Sequence, residues 1–275
     1  MVREQILKGV AQLLCVASAC LAMNAGNGRA ASPQFRADCE ALTMGAHRLA
    51  GTEEGRAATE FVRQRLTDLG ANKVMVQEFS VLQTRDIRCE LKLAGSEGRA
   101  LKLVPMRPNG IIPPVTPAEG VSGPLIHLGP GRAEDYPVES IAGAIVVMDY
   151  NSEDRWLRAI RLGARAVIFT GGGAEASVSH ATEANANLLR FYYPDSVSDL
   201  PEGSTATIHS AVVWEKATAR NVYGFFRGTA PVFGDGNKEE MIVIAADIDS
   251  FGDVPRLAPG ARGAANVAAL LKLAG

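Results

Sequence analysis

Met241-Ile242-Val243-Ile244-Ala245-Ala246-Asp247-Ile248-Asp249-Ser250 is the stretch on which the fold turns. Its first six residues are apolar without alternation, the pattern of a strand covered on both faces at the centre of a helix-flanked sheet. Asp247 and Asp249 stand where that strand would end. In α/β sheets the carboxyl edge is where ligands bind, because loops and helix N-termini converge there. Carboxylates at i and i+2 share a strand face, so the two could hold a cation or share a proton. The plain alternative is an aspartate serving as a turn or helix-capping residue.

Working outward, Arg220-Asn221-Val222-Tyr223-Gly224-Phe225-Phe226 reads as a strand and Gly234-Asp235-Gly236-Asn237 as a turn. Ala264 to Ala274 reads as an Ala/Leu-rich helix. Far upstream, the loop His47-Arg48-Leu49-Ala50-Gly51-Thr52 precedes an amphipathic helix carrying Ala58, Phe61, Val62, Leu66 and Leu69 at three- and four-residue spacing. Thr52 is placed to cap its start and Gly70 its end. Val74 to Phe79 follows as a strand. Between about Leu82 and Ala219 the texture changes to short β-type runs (Ile87 to Leu93, Leu101 to Val104, Pro124 to Leu128, Ala144 to Met148) separated by Gly and Pro. One helix, Glu153 to Leu162, interrupts them and leads into Ala166-Val167-Ile168-Phe169. This is the pattern of a β-rich module inserted into a host domain.

The 275 residues are 47% hydrophobic and 21% charged, an ordinary globular composition that excludes disorder, collagen-like repeats and a multi-span membrane protein. A net charge of −2 leaves no basic excess for a nucleic-acid partner. Arg3 and Lys8 precede an apolar run from Val10 to Met23, and small polar residues follow, which is the order of a secretory signal. Fourteen helical residues would cover only ~21 Å, short of the ~30 Å hydrocarbon core, so no membrane span is expected. The chain is therefore expected to be secreted or periplasmic. Ala17-Ser18-Ala19-Cys20 loosely resembles a lipobox and gives lipid anchoring through Cys20 as the minor alternative. Cys39 and Cys89 remain beyond the signal, either bridged or free.

The loop from His47 to Thr52 with its helix, Asn221-Val222, Ile242 to Ser250, and Pro259-Gly260-Ala261 leading to Val267-Ala268-Ala269-Leu270-Leu271 together resemble the opening half of the co-catalytic zinc aminopeptidases, a family that includes glutamate carboxypeptidase and the transferrin receptor. The insert resembles a protease-associated (PA) domain at Gly123-Pro124-Leu125-Ile126, at Ile141 to Val147 and at Ala159 to Phe169. The resemblance implies an α/β fold: a partial phosphorylase/hydrolase-like zinc-exopeptidase sheet covered by helices, with an inserted β-rich PA-like domain. It divides the chain into a signal peptide at 1–30, an N-terminal part of the peptidase-like domain at 31–82, the insert at 83–219, and an incomplete start of the peptidase-like core at 220–275.

The family carries two zincs that polarise a peptide carbonyl and activate a bridging water, with a Glu as base. Its first ligand is the His of a His-x-Asp motif, whose Asp orients that His. Here Asp247 takes the His position, as the candidate metal ligand, and Asp249 keeps the orienting position, as the candidate catalytic residue. The family's bridging Asp follows Pro-Gly-Ala; here Arg262-Gly263-Ala264-Ala265-Asn266 follow instead, and neither Gly nor Arg can supply that carboxylate. Zinc is thus expected only if the family site survives, and no cofactor is otherwise implied.

The remaining motifs read as structural. His47 is expected to make a loop hydrogen bond, and His127 and His209 to pack in strands. His180 beside Ser179 is no nucleophile pair. Gly171-Gly172-Gly173 is a turn rather than a phosphate cradle, having no following Lys-Ser/Thr. Arg155, Arg158, Arg161 and Arg165 recur along one helix face as a solvated stripe. The expectation is a secreted, metallopeptidase-like protein, non-catalytic as it stands, with a peptide or protein ligand reached through the PA-like module. The alternative is the N-terminal fragment of an active PA-domain-containing zinc aminopeptidase.

Overall fold

The computed structural model describes residues 32–95, 100–106, 113–171, 189–228, 241–250, 252, 254 and 257–275. The expected signal peptide with Cys20, the turn at 234–237, His180 and Gly172-Gly173 lie outside them. The chain divides into two units, Met1–Ala37 and Asp38–Gly275. What is described of the first is the opening of helix α1 (Pro33–Thr43), where the Ser32 hydroxyl accepts from the Phe35 amide at 3.3 Å and Pro33 takes the first helical position.

In the second unit, helix α2 (Glu53–Asp68) forms as its spacing predicts. The Thr52 hydroxyl accepts from the Gly55 amide at 3.1 Å, and Glu53 and Glu54 place negative charge in the first turn, where the helix dipole favours it. Gly70, with φ +80°, closes the helix by donating to Thr67, while Ala71 donates to Leu66.

Two 21-residue strands follow the same path in opposite directions, β1 (Lys73–Leu93) and, much later in the chain, β8 (Thr205–Phe225). They pair from Lys73↔Phe225 to Leu93↔Ala206, with one irregularity between Asp86 and Arg88 at an exposed Ile87. Both expected module boundaries, at 82/83 and 219/220, fall inside these strands, where Leu82 faces Lys216 and Phe79 faces Ala219. The remaining strands are β2 (Ala100–Lys102), β3 (Val104–Pro105), β4 (Val121–Gly129), β5 (Ile145–Asp149), β6 (Ala166–Thr170) and β7 (Leu189–Tyr193). They complete a mixed eight-stranded sheet in the order β2-β1-β8-β4-β5-β6-β7-β3.

From β4 to β7 the strands are parallel, and β5 and β6 are apolar up to their last residues, Asp149 and Thr170, because both their faces are covered. One face carries Val146, Met148, Val167, Phe169 and Tyr192 against Trp156 of the crossover helix α3 (Trp156–Arg161). The other face carries Ile145, Val147, Ile168 and Phe191 against Leu125 and Ile208.

A third apolar cluster joins Leu42, Val62 and Leu66 to Val267 and Leu271 of helix α4 (Ala261–Ala274), with Val74 and Val222 packed beside them. Helix α4 starts at Gly260 without a side-chain cap. Its docking overrides that loss: a cap is worth about 1 kcal/mol, whereas burying a Val or Leu side chain is worth ~1.5–3 kcal/mol.

Two expectations need correction. Met241 to Ala246 forms no strand; the segment has no regular secondary structure and no ladder partner among the described residues, and Met241 and Val243 are 71% and 75% exposed. An apolar run supplies the faces of a central strand but not its neighbours, and the described sheet is the one built by β1 to β8 instead. The helix expected from Glu153 begins only at Trp156, because Glu153 takes the left-handed conformation at φ +54°. Cys39 and Cys89 are free thiols, and burial pushes the Cys89 thiol up to about 12. Among the described residues no helix is long and apolar enough to cross a membrane.

Gly55 tests the packing of α2 against the preceding loop. Replacing a helical Gly by Ala ordinarily stabilises by about 1 kcal/mol. Here a Cβ would stand 2.2 Å from the Leu49 carbonyl oxygen. Gly55→Ala is therefore expected to lower the melting temperature; a rise would show that the loop can retreat at no cost.

Candidate functional site

The loop between α1 and α2 is fixed before it meets anything distant. The Leu49 carbonyl accepts from both the Thr52 amide (3.2 Å) and the Thr52 hydroxyl (2.7 Å). His47 is buried, and its Nδ1 accepts from the Leu49 amide at 3.4 Å, the structural role its position suggested. The turn leaves Arg48 pointing inward, only 3% exposed.

Arg48 then gathers segments some two hundred residues away. Its Nε donates to the Ile248 carbonyl at 3.0 Å, Nη1 to the carbonyls of Leu42 (2.6 Å) and Pro259, and Nη2 to the Gly260 carbonyl at 3.0 Å. Its amide donates to the buried Ser250 hydroxyl at 2.6 Å, and its carbonyl accepts from the Ser250 amide at 3.3 Å. Gly260 is required at its place: it sits at φ +66°, and a Cβ would meet Ser250 Cβ at 2.7 Å and Arg48 Nη2 at 3.1 Å. The Gly260 carbonyl also accepts from the Ala264 amide, so the same oxygen that receives Arg48 starts α4.

Asp247 and Asp249 lie on this segment, both largely exposed, on either side of Ile248, whose carbonyl Arg48 holds. Packing around the carboxyl, and next the Asp247 charge, push Asp249 above the usual aspartate range; the nearby Arg48 partly opposes this. Burial in turn pulls Arg48 down, offset in part by Asp249. Arg48 nonetheless stays charged, since its ordinary value lies far above neutrality. Its fork is spent on carbonyl oxygens rather than on a carboxylate.

The donor set does not fit the zinc centre that the family resemblance implies. A catalytic zinc takes three protein ligands. Among the described residues no group of three or more His, Cys, Asp or Glu side chains is gathered to hold a metal ion. Next to the two aspartates stand a buried guanidinium and Gly263, where a Cβ would lie 3.5 Å from Arg48 Nη2 and from the Asp249 carbonyl oxygen. Arg262 is exposed in the first turn of α4.

The other sequence candidates lie elsewhere. His127 is on β4, its Nε2 2.7 Å from the Leu200 carbonyl, and His209 is on β8 opposite Glu90. Arg48 and Ser250 were readable only as motif letters. Their signal was a cation between His47 and Leu49 in a short interhelical loop, a position where a buried guanidinium must find acceptors.

No protein-family model and no curated protein matches the chain. Solved structures similar to it include three peptidases. An aminopeptidase from Aneurinibacillus sp. strain AM-1 is 20% identical over 90% of this chain and 59% of its own, with a TM-score of 0.43. A peptidase M28 precursor from Shewanella amazonensis SB2B is 18% identical over 75% and 52%, with a TM-score of 0.43. BSAP, a zinc aminopeptidase from Bacillus subtilis, is 16% identical over 69% and 46%, with a TM-score of 0.44. The chain thus spans about half the length of these proteins.

The raised Asp249 carboxyl sets a pH signature. A carboxyl that holds its proton more readily folded than unfolded stabilises the fold as pH falls into the window just above the ordinary aspartate value, and that contribution is lost as pH rises through the folded value. Asp249→Asn removes the ionised form, so it is expected to raise the melting temperature at neutral pH, with the gain vanishing near pH 3.8 and below. A pH-independent difference would contradict the assignment.

Proposed function

We propose that the chain is a secreted, peptidase-like protein of the zinc-aminopeptidase type that does not hydrolyse peptides with the residues it presents, and that binds a peptide or protein through its β-rich, PA-like module. The observation that carries this reading is the convergence on Arg48. The loop His47 to Thr52, the segment Asp247 to Ser250 and the loop Pro259 to Ala261 come from three of the four ordered segments of the resemblance, and Arg48 ties the three together. A chance match of short motifs would have no reason to assemble. The chemistry points the other way: paired-metal hydrolysis needs a bridging carboxylate and a base, and this junction offers two exposed aspartates beside a cation.

A second reading, the N-terminal part of an active PA-domain-containing zinc aminopeptidase, is favoured by one observation. Met241, Ile242, Val243 and Ile244 are each more than half exposed, as a core strand would be if its neighbours came from elsewhere.

Elemental analysis after zinc loading, paired with hydrolysis of a chromogenic aminoacyl amide, separates the two. The expected result is no tightly bound zinc and no turnover that a chelator removes. Two retained zincs per chain, or chelator-sensitive turnover, would overturn the non-catalytic reading.

A further inference from the structure

The crossover helix α3, the residues leading into it and the turn that follows β4 enclose a cleft of about 390 Å³ whose walls include Arg132, Arg155, Arg158, Arg161 and Asp154. The turn is closed by Gly131 at φ +72°, where a Cβ would stand 2.3 Å from the buried Met148 side chain. Two of the arginines are braced. Arg155 pairs with Glu153 at 2.9 Å and donates to the Pro130 carbonyl at 3.4 Å. Arg158 lies 5.5 Å over the Tyr136 ring, and the Tyr136 hydroxyl donates to the Arg155 carbonyl at 3.3 Å. Arg132 and Arg161 are exposed and make no ion pair among the described residues. The nearby Asp135 carboxylate accepts from the Arg132 amide at 2.6 Å and does not line the cleft.

A solvated stripe, the expectation from spacing alone, explains arginines on one helix face. It does not explain Arg132, which arrives from a different segment, or the bracing of two side chains that would gain more entropy free. The four cations outnumber Asp154 and Glu153, and planar guanidinium forks match the oxygens of a phosphate group, which accepts bidentate pairs.

We propose that this cleft is a binding site for a dianionic phosphate monoester group, held by Arg132 and Arg161 with Arg155 and Arg158 as the fixed wall. The biological use of the site rests on the reading that the module binds a ligand. The phosphate test itself needs neither zinc nor hydrolysis, so either reading can fail alone. The group can be carried by a small metabolite or by a phosphorylated side chain, and the chemistry recognised is the same.

Isothermal titration of the full chain at low salt with inorganic phosphate, free phosphoserine and a phosphoserine heptapeptide tests this, alongside the exposed double variant Arg132→Gln/Arg161→Gln. Stoichiometric phosphate binding is expected, weakened at least about tenfold in the variant at an unchanged melting temperature. Tighter binding of the heptapeptide than of phosphoserine identifies a protein-borne group, and equal binding a small molecule. No binding of any of the three up to about 10 mM, or equal affinity in the variant, overturns the proposal.

Discussion

A buried guanidinium is the constraint around which the α-helical end of this protein is arranged. Taking Arg48 out of water costs several kcal/mol, and among the described residues no carboxylate bonds to it directly. Hydrogen bonds to a charged group are worth about 1.5–3 kcal/mol each, so the four carbonyl acceptors it reaches together offset the desolvation. That balance holds only while all four oxygens stay in place. It explains the Gly at position 260, where any side chain would push Ser250 and the guanidinium apart. It also explains why the chain between Ile248 and Ser250 is held at its backbone while its two aspartates face outward.

The same constraint bears on chemistry. A cation used as a structural clamp holds the backbone between Asp247, at the expected ligand position, and Asp249. Burial, and next the Asp247 charge, hold the Asp249 carboxyl above the usual aspartate range, and Arg48 opposes this only in part. Meanwhile β1 and β8 run unbroken from this junction into the parallel sheet that carries the arginine cleft. The parallel strands and the motif-bearing junction therefore share two continuous strands. Their antiparallel register joins the two regions without a hinge residue at the expected boundaries.

Local signals were legible in the sequence and long-range ones were not. Thr52, Gly70 and the apolar spacing of α2 predict that helix because its cap, stop and face are all encoded within twenty residues. The runs Ala144 to Met148 and Ala166 to Phe169 become buried parallel strands, as doubly covered apolar runs should. Met241 to Ala246 has the same composition and forms no strand, since a strand also needs partners, which hydrophobicity does not specify. Glu153 entered the left-handed region, which non-glycine residues rarely do, so the expected helix start there was three residues early. The two aspartates were visible as a pair. Arg48 was not visible as their neighbour, because its acceptors at 248, 259 and 260 are backbone oxygens and carry no side-chain signature.

Native-state hydrogen exchange tests most directly whether Arg48 is the common tie. The amides of Ser250 and Ala264 and those of the first hydrogen-bonded turn of α2 should open with one shared free energy, and Arg48→Met should lower their protection together while leaving β5 and β6 unchanged. Independent exchange at Ser250 and Ala264 in the native chain, or protection unaltered by Arg48→Met, would contradict the account.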